Sequence, residues 1–173
     1  AVERRPETVQ ATIRRIVDGE AVTTPPTIDD PAALDDLRAL FRRIPMKALV
    51  LERTEAGPPR AELRDDYQAA LGDGEVLIRV SHSGLNYKDG LAIARGAPVV
   101  RNWPMIPGID LAGEVAESTH PDWKAGDPVV VTGWGVGETR FGGYAQYARA
   151  PAEWIVRLPE GMTPAQAMAV GTA

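Results

Sequence analysis

Gly74-Glu75-Val76-Leu77-Ile78-Arg79-Val80-Ser81 is the stretch of sequence that decides the fold. Val76, Ile78 and Val80 alternate with their neighbours after a Gly-Glu turn, so they fall on one face of a β-strand. Similar short segments predict strands at 47–52, 111–116, 128–132, 143–149 and 154–156. Glycine and proline punctuate the chain between these segments. Many short strands at close spacing with such turns predict a closed or partly open β-barrel.

Two short helices are predicted within this β region. A single helical turn or two fits Tyr87–Ala94, and Pro164–Val170 is expected to form a last helix. The predicted fold class is therefore mainly β with short helices.

Residues 1–45 carry a different pattern from residues 46–173. Apolar residues at helical spacing predict helices over 6–19 and 30–44, the second of which is stopped by Pro45. Two short amphipathic helices cannot bury a core by themselves. We therefore expect 1–45 to be a helical linker or an extension from an upstream domain, and 46–173 to be the barrel domain.

The composition excludes several classes of function. With 44% hydrophobic and 25% charged residues, the 173 residues suit one ordinary domain. A net charge of −5 argues against nucleic acid or an anionic membrane as the main partner. The absence of cysteine excludes a disulfide scaffold, a thiolate nucleophile and a cysteine-ligated zinc or iron–sulfur site. No apolar run approaches the roughly 20 residues of a membrane span, so we expect a soluble, cytoplasmic protein.

A glycine-rich segment, Thr132-Gly133-Trp134-Gly135-Val136-Gly137-Glu138, invites comparison with dinucleotide-binding loops. Its Gly-x-Gly-x-Gly spacing differs from the Rossmann fingerprint, and a strand is predicted after it where a helix is required. Two interpretations stay open. The glycines let the backbone approach a flat ligand, or the segment is only a barrel turn.

The segment Gly84-Leu85-Asn86-Tyr87-Lys88-Asp89-Gly90 places an amide, a phenol, an ammonium and a carboxylate in consecutive positions. Such groups hold carboxamides and donate hydrogen bonds to a developing oxyanion. The alternative is a solvated helix start with Asn86 as its N-cap.

The histidines and tryptophans give weaker indications. His82 and His120 are isolated from other ligand-type residues, so no metal site is predicted. The tryptophans at 103, 123, 134 and 154 are expected to plug the barrel rather than to form a stacking platform, because no basic stripe accompanies them.

Taken in order, these motifs resemble the N-terminal part of the medium-chain dehydrogenase/reductase superfamily, in the zinc-free branch of quinone-oxidoreductase-like proteins and acryloyl-CoA reductases. The resemblance covers residues 46–173. It is carried by Met46–Val50, Gly84–Asp89, Pro104–Gly113, Ala125–Asp127, Thr132–Glu138, Gly142–Ala145 and Gly171–Ala173.

The resemblance implies a GroES-like catalytic barrel, with a nucleotide-binding Rossmann domain that is missing from these 173 residues. It also implies that NADPH is the cofactor and that there is no catalytic zinc. By this resemblance, Asn86 and Asp89 of this chain would lie near the nicotinamide and its ribose. Thr172 would face the nicotinamide, and Trp134 and Gly135 would line the same cleft.

The implied reaction is the conjugate reduction of acryloyl-CoA to propionyl-CoA. Tyr87 and Lys88 are the predicted donors to the thioester oxygen, with Tyr87 or water as proton source, and Asp89 completes the predicted catalytic set. A CoA substrate calls for positive charge near its phosphates. Arg95, Arg101 and Arg140 are the candidates, and solvated surface arginines are the alternative.

Two further functions stay open: a quinone or enone reductase of the same branch, and a non-catalytic docking barrel in a multidomain enzyme. The chain starts without an initiator methionine and stops directly after a helical segment, so we expect a piece of a longer polypeptide that is inactive alone. An upstream hydratase-type domain would give the architecture of a propionyl-CoA synthase. The expected partners are an acyl-CoA thioester, the missing domains and a second copy in a homo-oligomer, without nucleic acid or membrane.

Overall fold

A computed structural model of the protein describes residues 43–72, 74–96 and 98–172. The helix predicted at 6–19, and residues 30–42 of the helix predicted at 30–44, lie outside these residues. The elements are β1 Arg43–Glu52, β2 Arg60–Ala70, β3 Val76–His82, α1 Tyr87–Arg95, β4 Asp110–Ser118, β5 Pro128–Thr132, β6 Tyr147–Ala150, a 3-10 turn Ala152–Trp154, β7 Val156–Arg157 and α2 Pro164–Val170. The prediction of a mainly β fold with two short helices is confirmed.

Five of the strands form one antiparallel sheet in the order β6-β3-β4-β5-β7. β3 pairs with β4 over most of its length, and the register shifts twice, between Leu77 and Ile78 and between Val80 and His82. Such bulges bend a strand and increase its twist. β1 and β2 form a separate two-stranded sheet, which isolated bridges from β1 connect to the rest of the domain.

The core lies on both faces of β3. Val76 and Ile78 are fully buried on one face, in a cluster that includes residues of β4, β5 and β6. Leu77 points the other way and packs with Met46 and Val50 of β1. Each such side chain contributes about 1.5–3 kcal/mol when it is removed from water. The first part of β3 is therefore buried on both faces of the sheet.

Local sequence explains the start of α2. Thr163 precedes the helix and accepts a hydrogen bond from the Gln166 backbone N–H at 3.2 Å, while the Gln166 side chain accepts from the Thr163 N–H at 2.8 Å. This reciprocal capping, followed by Pro164 in the first turn, fixes where the helix begins. None of the helices in the described part of the chain is long and apolar enough to cross a membrane.

The predicted helix over 30–44 is wrong at its end, because Ile44 lies in β1. Ile44 packs half-buried against the cluster that contains Met46, and this tertiary contact overrides the helical spacing. Pro45, expected to stop the helix, is an exposed residue of the same strand. Pro45 stands near the start of β1, where the missing N–H of a proline is tolerated.

Three further boundaries differ from the predictions. β2 was not predicted, because Arg60–Ala70 is mostly polar and lacks a run of alternating apolar residues. The strand expected at 143–149 is shorter and occupies Tyr147–Ala150. Trp154, expected in a strand, closes a 3-10 turn before β7.

Candidate active site

A buried carboxylate brings two distant polar residues together. Asp110, the first residue of β4, is 0% exposed. Its Oδ2 accepts hydrogen bonds from Asn86 Nδ2 at 2.8 Å and from the Thr172 backbone N–H at 3.0 Å, and its Oδ1 accepts from Thr172 Oγ1 at 2.5 Å. We call Asn86, Asp110 and Thr172 the Asp110 corner. Charge-assisted hydrogen bonds of this kind are short and hold their donors in one geometry.

The segments that meet at the Asp110 corner are fixed by further contacts. Ser83 Oγ donates to the Asp110 backbone carbonyl at 2.6 Å, which ties the segment before α1 to the start of β4. At the end of α2, Gly171 has a φ of 64°, a left-handed conformation that glycine adopts readily. This turn ends the helix and brings Thr172 to Asp110.

Asp89 lies beneath the surface, 1% exposed, in the first turn of α1. Its Oδ2 accepts the Asn86 backbone N–H at 2.9 Å. Its Oδ1 accepts the N–H groups of Gly108 at 3.1 Å and Ile109 at 3.0 Å. Both carboxylate oxygens thus accept hydrogen bonds from backbone N–H groups. This geometry is that of a residue that positions Asn86 and the segment before β4. The sequence predicted Asp89 as a catalytic and cofactor-binding residue; the structure gives it this positioning geometry.

Tyr144 stands beside these two carboxylates and was not among the predicted site residues. Its hydroxyl donates to the Gly84 carbonyl at 3.0 Å. Burial raises the pKa of Tyr144 to about 12, and the negative charges of Asp89 and Asp110 add to the rise. The phenol therefore stays neutral and retains its hydrogen bond up to strongly alkaline pH.

Tyr87 and Lys88 occupy the first turn of α1, outside the buried part of the site. The Tyr87 side chain is 84% exposed. Lys88 Nζ forms an ion pair with Glu138 Oε1 at 2.7 Å, so its ammonium is engaged with the glycine-rich segment. Their predicted role as donors to a thioester oxygen stays a prediction.

Residues 133–140, which we call the glycine loop, present a strained aromatic residue. Trp134 has a φ of 54°, between Gly133 at 75° and Gly135 at 77°. Its indole is stacked on that of Trp154, with ring centroids 5.5 Å apart and planes inclined by 7°. The Arg140 guanidinium lies 4.8 Å from the centroid of the Trp154 ring.

The tryptophans divide into two groups by burial. Trp103, Trp123 and Trp154 are partly buried against the core clusters, as expected of barrel plugs. The prediction is wrong for Trp134, which is 59% exposed because the loop backbone turns it outward.

The predicted substrate arginines line two different cavities. Arg95 and Arg101, with Arg53, line a cavity of about 380 Å³, whereas Arg140 lines one of about 610 Å³. No residue of the Asp110 corner lines either cavity. Of the two cavities lined by these described residues, Arg101 and Arg140 therefore line different ones.

Comparison with known proteins identifies the family. Residues 72–160, about half of the chain, match the alcohol dehydrogenase GroES-like domain. The chain belongs to this family. Within the medium-chain dehydrogenase/reductase superfamily, it falls in the branch of acryloyl-CoA reductases and quinone oxidoreductases, as the motifs predicted.

Two individual relatives are similar in sequence to this chain over more than half of its length. The acrylyl-CoA reductase AcuI of Ruegeria pomeroyi is 49% identical over 127 residues, which are 73% of this chain and 38% of that protein. The putative quinone oxidoreductase YhfP of Bacillus subtilis is 47% identical over 98 residues, 57% of this chain and 30% of that protein. The chain therefore spans well under half the length of these relatives.

Solved structures of relatives share the fold. The YhdH oxidoreductase of Salmonella enterica, in complex with NADP, has a TM-score of 0.68 and 43% identity over 73% of this chain and 39% of that chain. The Bacillus subtilis YhfP structure, with NAD bound, also gives 0.68, with 38% identity over 74% of this chain and 39% of that chain.

The donors and acceptors of the Asp110 corner fit a nicotinamide carboxamide. Asn86 gives one amide N–H to Asp110, and its side chain also caps α1 by accepting from the Asp89 backbone N–H, which leaves Oδ1 one further acceptor position. Thr172 gives its hydroxyl proton to Asp110, so Oγ1 also keeps acceptor capacity. A carboxamide carries an NH₂ donor that such acceptors bind. Among the described residues, no three histidine, cysteine or acidic side chains are grouped as metal ligands would be.

Sequence reasoning missed Asp110 as the organising residue of the site. The signal was present, because Asp110 stands directly before the apolar Leu111-Ala112 at the start of a buried strand. A carboxylate in that position must be paired with donors from elsewhere in the fold. Tyr144 follows Gly142-Gly143, and a tyrosine whose ring is partly buried likewise needs a hydrogen-bond partner for its hydroxyl from elsewhere in the fold.

Proposed function

We propose that this GroES-like domain is the catalytic domain of an NADPH-dependent enoyl-thioester reductase that converts acryloyl-CoA to propionyl-CoA. The observation that carries the proposal is the Asp110 corner, which brings Asn86 and Thr172, each with acceptor capacity left, to one carboxylate. The 49% identity to an acrylyl-CoA reductase supports the substrate class. The nucleotide-binding part is supplied by sequence outside these 173 residues.

The residues divide into contact and positioning roles. Asn86 and Thr172 bind the carboxamide and orient the ring, while Asp110 holds both side chains and Asp89 holds the Asn86 backbone. Preorganised groups need no rearrangement when the transition state forms. The reduced nicotinamide, when bound, supplies the hydride that adds to the β-carbon of the alkene.

Negative charge then develops on the thioester oxygen, and a proton is added at the α-carbon. Tyr87 is the first donor in the proposal, because its side chain is exposed at the start of α1. Lys88 reaches the same oxygen only by releasing Glu138. We therefore expect Tyr87→Phe to lower kcat more than Lys88→Ala does.

The test is NADPH oxidation by the intact protein with acryloyl-CoA, compared with NADH and with a quinone. Turnover of acryloyl-CoA with NADPH supports the proposal. Thr172→Val should raise KM for NADPH about tenfold by removing the hydroxyl from the corner. Thr119→Val, which changes an exposed threonine away from the corner, is the matched control. Absence of turnover with acryloyl-CoA and either coenzyme contradicts the proposal.

Quinone or enone reduction is the second candidate, favoured by the similarity to the putative quinone oxidoreductase of Bacillus subtilis. The NADP and NAD bound in the related structures are the reason to test both coenzymes. No observation favours a docking role. The upstream hydratase-type fusion, the homo-oligomer and the cytoplasmic location stay predictions from the sequence.

A further inference from the structure

Trp134 adopts a strained backbone conformation in the turn that the hydrogen bond from the Val136 N–H to the Gly133 carbonyl closes. Left-handed backbone is unfavourable for every residue with a Cβ, and a large aromatic residue rarely adopts it. Its indole also remains 59% exposed, so it recovers little from burial. Strained residues of this kind persist where the surroundings impose the conformation, and they cluster at ligand-binding sites.

The glycine loop holds this ring in place. The Val136 N–H donates to the Gly133 carbonyl at 3.0 Å, and the Thr139 N–H donates to the Gly135 carbonyl at 2.9 Å. The Gly133 N–H donates to the Ile109 carbonyl at 3.2 Å, which attaches the loop next to the Asp110 corner. The indole is therefore preorganised beside the candidate active site.

The surroundings of the ring suit a nucleotide. Trp134 stacks on Trp154, and the Arg140 guanidinium lies against that same Trp154 ring. An exposed indole offers a flat π surface on which a base can stack, and a nearby guanidinium favours a phosphate. These two features together match a purine nucleotide better than a small acyl group.

We propose that the exposed indole of Trp134 is a stacking platform for the adenine ring of an adenine nucleotide, with Arg140 contributing positive charge toward its phosphates. The inference rests on the proposed function for the source of the adenine. Both an acyl-CoA thioester and a nicotinamide coenzyme carry one. The experiment therefore has one arm for each source.

Binding to the intact protein is measured by calorimetry, independently of turnover. The probes are CoA and pantetheine in one arm, and NADPH and the reduced nicotinamide mononucleotide in the other. Trp134→Gly should weaken the binding of either CoA or NADPH about tenfold, which is the typical loss of affinity when one base-stacking contact is removed. The matching probe without adenine should bind unchanged. Trp134→Phe keeps an aromatic ring and should retain most of the affinity.

Two controls keep the result interpretable. Trp123→Phe changes a partly buried tryptophan that packs against a core cluster, and should leave all four affinities unchanged. Trp134→Gly should not lower the urea midpoint, because glycine relieves the left-handed strain at that position. An equal loss for the probes with and without adenine overturns the inference, as does no loss for any probe. Failure of acryloyl-CoA turnover with these affinity changes intact contradicts only the proposed reaction.

Discussion

The Asp110 corner and the glycine loop lie side by side but are built in opposite ways. The corner joins residues 24 and 62 positions from Asp110 through a buried charge that has all its hydrogen bonds within the domain. The loop is held mainly by hydrogen bonds within residues 133–140 and displays a strained, exposed ring. Substitutions in the corner should therefore lower the free energy of unfolding of the whole domain. Substitutions in the loop should mainly disturb the structure of the loop itself.

The largest expected effect is that of Asp110→Asn. The amide of the variant has two possible orientations. Its NH₂ group faces either the donors from Asn86 and the Thr172 backbone, or the Thr172 hydroxyl. Either orientation removes at least one hydrogen bond to the buried carboxylate, which costs about 2–3 kcal/mol in free energy of unfolding. Urea denaturation measures the loss.

Asp66→Asn is the matched control, because Asp66 is an exposed aspartate of β2. We expect its free energy of unfolding to change by less than about 0.5 kcal/mol. Equal losses in the two variants would show that the corner does not stabilise the fold, and the contrast with the loop would disappear.

Gly135→Ala should have the next largest effect and tests the loop. An added Cβ would lie 2.6 Å from Thr139 Oγ1, at a backbone φ of 77°. Gly126→Ala is the control, because Gly126 has a φ of 89° but nothing within 4 Å of the added atom. The control should lose about 1 kcal/mol from backbone strain alone, and Gly135→Ala about 1 kcal/mol more. Similar losses from the two substitutions would mean that the loop yields to the contact with Thr139.

The regular part of the fold was readable from the sequence. Val76, Ile78 and Val80 predicted β3 within one residue, and Pro164–Val170 was predicted with the bounds it has. These elements carry a strong local pattern. β2 does not, since its polar residues pair with β1 and remain exposed, so its strand character comes from a tertiary partner.

The candidate site was only half readable. The motif around Asn86 and the Gly-Thr at 171–172 were singled out in sequence, but the carboxylate that joins them was not. Its three hydrogen bonds to these residues connect positions that local spacing cannot relate. The Lys88 ion pair with Glu138, 50 residues away, is similarly invisible before folding.

Tyr144 allows the corner to be tested by pH. Burial and the nearby carboxylates raise its pKa from 10.0 to about 12 in the folded state. Because the phenol of the unfolded chain ionises at a lower pH, stability is fully present below pH 10 and falls as the pH rises toward 12. With solvent screening of a half-buried group, the expected decrease is about 1 kcal/mol.

Urea unfolding at a series of pH values from 9 to 11.5 measures this decrease. Tyr144→Phe removes the titrating group and should reduce the slope over that range, leaving the contribution of Tyr67, whose pKa is also raised by burial. Tyr87→Phe, which changes an exposed phenol, is the matched control. A slope that is unchanged in Tyr144→Phe would assign the effect to other groups.

The smallest expected effect concerns the ion pair that joins α1 to the glycine loop. A double-mutant cycle with Lys88→Met and Glu138→Gln should give a coupling of about 0.5–1 kcal/mol in free energy of unfolding, decreasing with salt. The control cycle uses Arg79 and Glu114, which face each other across β3 and β4 at 3.0 Å. We expect less coupling there, because the Glu114 side chain is 53% exposed whereas that of Glu138 is 17% exposed.

The same cycle bears on the difference between corner and loop. If the ion pair mainly fixes the loop, Lys88→Met and Glu138→Gln should each weaken adenine-nucleotide binding and leave the free energy of unfolding nearly unchanged. If it contributes to the global fold, the loss of stability should match that of a buried pair and persist at high salt. The first outcome would make the loop a unit whose order depends locally on this ion pair, and the second would make it part of the same cooperative structure as Asp110.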